Sequence, residues 1–157
     1  MRHIISATVE NKPGVLARIV GIITGRGYNI ETLNVAPSIE PDISRLTMTV
    51  SGDDTVIEQV TKQLNKMVDV IKVSDLTADA HLESEYLFAK IATPRQKRAE
   101  IIEFFTLIKA DVLHVTEKDV IIQFYGNAAA IEKFFTLLKP YITDVSRSGP
   151  IAIAKDE

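Results

Sequence analysis

One pattern governs what this chain can fold into: the order strand, helix, strand, strand, helix, strand occurs twice along its 157 residues. In the first pass Ile5, Ala7 and Val9 alternate with Ser6, Thr8 and Glu10, the period of a half-buried strand. Val15, Leu16, Ile19, Val20, Ile22 and Ile23 then recur at helical spacing, and Gly25 and Gly27 stop that helix. Tyr28 to Val35 is rich in strand formers, Pro37 and Pro41 break it, and Arg45 to Val50 alternates again. Ser51-Gly52-Asp53-Asp54 is a turn and cap, and a helix follows with Thr55 and Glu58 at capping-box spacing and Ile57, Val60, Leu64 and Met67 on one face. Val70 to Val73 is the last strand of the pass.

Asp75 to Glu85 is polar and aperiodic, so it reads as a linker. The order then returns. Tyr86 to Ala92 is a strand, and Thr93-Pro94-Arg95-Gln96 supplies an N-cap, a proline at the first helical position and a glutamine two positions on. Ile101, Phe105 and Ile108 mark the buried face of the helix. Val112 to Val115 and Val120 to Tyr125 form a hairpin, and Asn127 caps a helix carrying Ile131, Phe134, Phe135 and Leu138. Ile142 to Val145 and Ile151 to Ala154 close the unit as two short strands. The expected class is α+β: two ferredoxin-like βαββαβ sandwiches, at 1–77 and 86–157, joined by a linker at 78–85. A sheet with both helices on one face must cover the other, which favours dimers or stacked domains.

Composition narrows the function classes. Hydrophobic residues make up 46% and charged residues 25% of the chain, enough for a real core, and the net charge of -3 gives no push toward nucleic acid or anionic membrane. With no cysteine, thiolate catalysis, disulfides and Cys-ligated metal are excluded. Met1-Arg2-His3 leads straight into a strand pattern, with no signal-peptide h-region and no long apolar run, so a cytoplasmic location is expected. His3, His81 and His114 have no ligand spacing with one another or with a carboxylate motif, and His81 with Glu83 and Glu85 reads as solvated linker. No nucleophile elbow, P-loop or dinucleotide fingerprint is present. A small enzyme built on His3 or His114 therefore lacks an acid–base pair at motif spacing. Arg95, Lys97 and Arg98 form the one basic cluster, read as a solvated face rather than a docking patch.

What remains is the turn Asn11-Lys12-Pro13-Gly14 opening onto a helix. Free amides at such a helix start attract a carboxylate, Gly14 has no Cβ in the way, and Asn11 and Asn29 offer amide oxygens to an ammonium group. The same residues are equally consistent with a plain turn.

At these residues the chain resembles an ACT domain, and more closely the small regulatory subunits of acetolactate synthase (acetohydroxyacid synthase). The likeness is carried by Asn11-Lys12-Pro13-Gly14-Val15-Leu16, Arg26-Gly27-Tyr28-Asn29-Ile30-Glu31, Ser44-Arg45-Leu46, Gly52-Asp53-Asp54 and Val68-Asp69-Val70. It is dense over residues 1 to 77 and thins afterwards to the domain order and Arg147-Ser148-Gly149. The resemblance implies an N-terminal ACT domain, a C-terminal ACT-like domain and no catalysis by this chain. It implies a catalytic large subunit as partner, which carries thiamine diphosphate, Mg2+ and FAD, is activated by this chain and receives feedback inhibition by valine through it. It also implies a homodimer through the N-terminal domains. Valine would sit between Asn11, Gly14, Val15 and Leu16 of one chain and Asn29 and Ile30 of the facing chain. The alternative is a free-standing ACT-domain amino-acid sensor acting on another enzyme or a transcription factor. In the second half the equivalent turn has no glycine, and Thr93 is expected to cap the helix start already, leaving one type of ligand site per chain.

Overall fold

The computed structural model describes residues 1–156. The chain falls into two compact units, one formed by Met1–Leu82 with the chain from Gly149 onward, the other by Glu83–Ser148.

The first unit runs β1 (Arg2–Glu10), α1 (Val15–Gly25), β2 (Ile30–Pro37), β3 (Ile43–Ser51), α2 (Asp54–Asn65) and β4 (Val70–Asp75). Its sheet has the order β2-β3-β1-β4. The antiparallel register sets Ile5 opposite Met48 and Ala7 opposite Leu46. These side chains meet Ile19 and Ile23 of α1 and Ile57, Val60 and Leu64 of α2 in one buried cluster. That is what the helical and strand periods demand, since each apolar stripe must find another.

Helix ends follow local chemistry. α1 closes with a Schellman motif: the Gly27 amide bonds to the Thr24 carbonyl at 3.0 Å, and the Tyr28 amide to that of Ile23 at 3.4 Å. Gly27 takes φ +82, the left-handed geometry that glycine adopts without a Cβ penalty, while Gly25 is simply the last helical residue. α2 corrects the capping-box reading. Asp53 is its cap, with Oδ1 accepting from the Val56 amide at 2.9 Å; Thr55 lies inside the helix, and Glu58 pairs with Lys62 at 2.7 Å.

β1 is more than half buried. Ile4 and Ser6, on the face away from the helices, are as enclosed as Ile5 and Ala7, and so are Thr47 and Thr49 of β3. Chain from the same unit lies there. The Ile4 amide donates to Thr77 Oγ1 at 3.0 Å, and the Lys155 amide to the Ala80 carbonyl at 2.8 Å. Gly149, at φ +71, comes so close to β2 that a Cβ would stand 2.9 Å from Thr32 Cβ. Thr32 in turn bonds to Thr49 through their hydroxyls at 2.6 Å.

The second unit uses β5 (His81–Ala92), α3 (Arg98–Ile108), β6 (Asp111–Val115), β7 (Asp119–Gly126), α4 (Ala128–Leu138) and β8 (Ile142–Ala154), with sheet order β6-β7-β5-β8. Leu87 and Ile91 pack with Ile101, Phe105, Ile122 and Phe134 in its core. Phe134 stacks on Phe124 at 5.1 Å between centroids. Asn127 caps α4 by accepting from the Ala130 amide at 2.9 Å. Glu85 is buried and ion-paired with Arg147 at 2.8 Å, which offsets the cost of burying its charge. The Arg147 guanidinium lies 4.8 Å over the Phe135 ring. The topology matches the first unit, so both are ferredoxin-like sandwiches.

Three further sequence expectations change. The polar segment read as linker is strand from His81 onward. The two short closing strands are one strand of 13 residues, because Gly149 absorbs the irregularity that Ser148-Gly149-Pro150 suggests as a break. The third change concerns Thr93 and belongs to the site.

Candidate functional site

The β1–α1 turn is held from the side. The Asn11 amide donates to the Asp42 carbonyl at 2.8 Å, and Asn11 Nδ2 donates to the Pro41 carbonyl at 2.9 Å. That leaves Asn11 Oδ1 without a partner among the described residues. Gly14 occupies the N-cap of α1 at φ 84, ψ -11, a conformation that penalises a Cβ, and offers no side chain to cap with. The Val15 amide reaches back to the Lys12 carbonyl at 3.3 Å, and the Arg18 amide closes the first turn on Gly14 at 3.1 Å. The amides of Leu16 and Ala17 have no acceptor among the described residues. Two donors therefore point out of the positive end of the helix dipole.

A cleft of about 50 Å³ opens beside them, lined by Asn11, Lys12, Val15 and Leu16 and walled by Val35 and Leu46. It has room for one or two waters at about 30 Å³ each, not for an amino acid. The cleft is half a site.

Its charges are balanced internally. Lys12 Nζ lies 3.0 Å from Glu10, and the hydrogen bond it donates to that carboxylate holds the ammonium above its ordinary pKa. Arg18 donates to Asp69, and that bond, against a smaller desolvation effect, holds the Asp69 carboxyl below its ordinary value. A neutral zwitterion suits such a site better than a net ion does.

Of the six residues expected at the effector site, Asn11, Gly14, Val15 and Leu16 come together in one chain. Asn29 is exposed just ahead of β2, and Ile30 is half-buried against the core; neither lines this cleft. Sequence reasoning missed Val35, Leu46 and Arg18. The first two reach the cleft only through strand pairing. Arg18 was findable, because helical side chains lean toward the N-terminus and a residue four on from Gly14 folds back over the turn. A Cβ built on Gly14 would stand 3.2 Å from the Arg18 guanidinium.

A family model described as the AHAS small subunit-like ACT domain matches residues 5–72, and one described as the small subunit of acetolactate synthase matches residues 84–156. A probable acetolactate synthase small subunit of Archaeoglobus fulgidus is 40% identical, over 99% of this chain and 98% of its own. The chain belongs to the acetolactate synthase small-subunit family. The Escherichia coli isozyme 3 small subunit is 36% identical over 100% of this chain and 98% of its own. The crystal structure of the Thermotoga maritima small subunit superposes with a TM-score of 0.89 at 30% identity, covering 100% of this chain and 99% of that one.

As a member of that family, the chain carries its candidate ligand turn in the ACT unit, and the second unit departs from expectation at the equivalent place. α3 starts at Arg98 with Lys97 as an N-cap that makes no side-chain bond. Pro94 to Lys97 make a separate turn, closed by the Lys97 amide on the Pro94 carbonyl at 2.9 Å. Thr93 is therefore too early in the chain to cap α3, and its buried hydroxyl has no partner among the described residues.

His3 is buried with Nδ1 3.2 Å from Asp75 and Nε2 3.5 Å from Asp54, tying together the ends of β1, β4 and α2 rather than opening on a cleft. His114 is exposed on the edge strand β6. Among the described residues no group of three or more His, Cys, Asp or Glu could hold a metal ion, and no helix is long and apolar enough to cross a membrane.

Proposed function

We propose that this chain is the regulatory subunit of an acetolactate synthase, acting in the cytoplasm: it docks on the catalytic subunit, raises its activity and confers feedback inhibition by valine. The observation that carries the reading is the family match along the whole chain, including the ligand turn. In the site we propose, the valine carboxylate takes the Leu16 and Ala17 amides and its ammonium meets Asn11 Oδ1. Its side chain faces Val35 and Leu46. Asn29 and Ile30 of a facing chain complete the enclosure.

Dimerisation through the ACT unit fits this incompleteness. β2 is a sheet edge with Leu33 and Val35 exposed, and unpaired edges seek partners. Gly21 and Gly25 face open space, so no close packing within the chain explains the small residues on that side of α1. An effector bridging two chains binds the paired state better, which links ligand to assembly by mass action.

The test is reconstitution. Acetolactate formation by the catalytic subunit is measured with and without this chain, then with added valine, leucine or isoleucine. The expected result is a rate raised by the chain and lowered again by a branched-chain amino acid. A rate indifferent to the chain overturns the reading.

A further inference from the structure

We propose that the cleft beside the start of α3 is a second ligand site, for a small molecule bearing a phosphate group. This rests on the second unit alone and is independent of the valine site. The cleft measures about 1010 Å³ and is open, bounded by the β5–α3 turn and the β6–β7 turn. Arg95, Arg98 and Lys118 line it, against one carboxylate, Glu117. Three cations less one anion leave a local charge of +2, which a phosphate dianion matches and a single carboxylate does not. The contrast with the turn at the start of α1 is direct, since there Lys12 and Arg18 each carry a carboxylate.

The cations are not spent on ion pairs. Arg95 and Lys118 have no acidic partner among the described residues. Arg98 donates from Nη1 to the Glu117 carbonyl at 3.0 Å and from Nη2 to the Thr116 carbonyl at 3.2 Å, which fixes the guanidinium at the cleft. Its Nε–H remains uncommitted. The helix start adds donors in the same place, because α3 is 11 residues long and lacks a side-chain cap.

The independent pointer is Thr93. It lines the cleft, is 1% exposed, and is pinned by its amide donating to the Lys118 carbonyl at 2.9 Å. Its hydroxyl has no partner among the described residues. Buried polar atoms in folded proteins are almost always bonded. An orphan hydroxyl on a residue that lines a cationic cleft is a donor without an acceptor among the described residues. Ala92, Pro94 and Val115 give the rest of the lining an apolar character suited to the organic part of a phosphate ester.

The experiment titrates the full-length chain with inorganic phosphate and with pyrophosphate by calorimetry at constant ionic strength, with acetate as the carboxylate arm. Thr93→Val removes the hydroxyl at constant shape, and Arg95→Gln removes an exposed charge. We expect one saturable pyrophosphate site per chain, weakened about tenfold in each variant. Thr93→Val should unfold at or above the wild-type temperature, because it deletes an unsatisfied buried group; should it fail to fold, Arg95→Gln decides alone. Absence of saturable binding at millimolar pyrophosphate, unchanged affinity in folded variants, or tighter binding of acetate than of phosphate overturns the proposal.

Discussion

Replacing Gly14 by Asp tests the ligand turn at its centre. At φ 84 any L-residue sits in the left-handed region, at a cost of about 1–2 kcal/mol, with Asp at the low end because its side chain bonds locally. The new Cβ meets the Arg18 guanidinium at 3.2 Å, the far end of a half-exposed, flexible side chain that can swing aside. A carboxylate at the start of α1 offsets about 0.3–1 kcal/mol. The net loss is therefore at most about 1.5 kcal/mol, a fall of some degrees in unfolding temperature, and the fold survives. The effect on the effector is larger. The Asp carboxylate competes for the Leu16 and Ala17 amides, and each charge-assisted bond is worth about 1.5–3 kcal/mol. The half-inhibiting valine concentration should rise by roughly tenfold or more. Gly14→Ala carries the strain without the charge and should stay within a few-fold of wild type. The assay is acetolactate formation by the reconstituted enzyme against valine concentration, beside thermal unfolding of each variant. An unchanged inhibition curve for folded Gly14→Asp refutes the site. Equal losses in Gly14→Ala and Gly14→Asp refute the carboxylate competition.

Asp53→Ala should destabilise by about 1 kcal/mol through loss of the α2 cap, and Thr55→Ala by much less, as read by chemical denaturation. Gly149→Ala combines a left-handed φ with a Cβ 2.9 Å from Thr32, so a loss of about 2 kcal/mol is expected, and a neutral result would show that the contact yields freely. The Asp69 carboxyl is held below its ordinary 3.8 by Arg18. The stabilisation from this pair is thus present above the ordinary value and is lost as pH falls through the lower folded value. Arg18→Gln should raise the Asp69 pKa toward 3.8 in a carboxyl NMR titration, and no change would sever the pair.

The topology of both units was readable because the apolar periods of β1, α1, α2 and α4 are strong and their register follows from which face must be buried. The errors fall where two local signals compete. Asp53 and Thr55 both fit an N-cap, and only the backbone geometry at Asp53 chooses between them. Thr93-Pro94-Arg95-Gln96 has the letters of a helix start, yet the chain makes a separate turn before Arg98, and this frees the Thr93 hydroxyl. Ser148-Gly149-Pro150 has the letters of a break, while the structure uses Gly149 for close approach to Thr32. At the candidate ligand turn, the residues consecutive in sequence, Asn11 to Leu16, could be grouped from the sequence. Val35 and Leu46 could not, because strand pairing alone brings them there. Arg18 lies between these cases, readable from helix geometry once Gly14 is taken as the cap.

In the proposed function this chain couples an amino-acid site to a catalytic partner. The most direct measurement is the affinity of the chain for valine, by calorimetry, alone and then saturated with the catalytic subunit. Coupling of about 1–3 kcal/mol, the usual range, changes that affinity by roughly 5- to 150-fold. A change of that size is expected. Identical affinities in the two states would contradict it, since a ligand with no differential binding cannot shift the enzyme between its states.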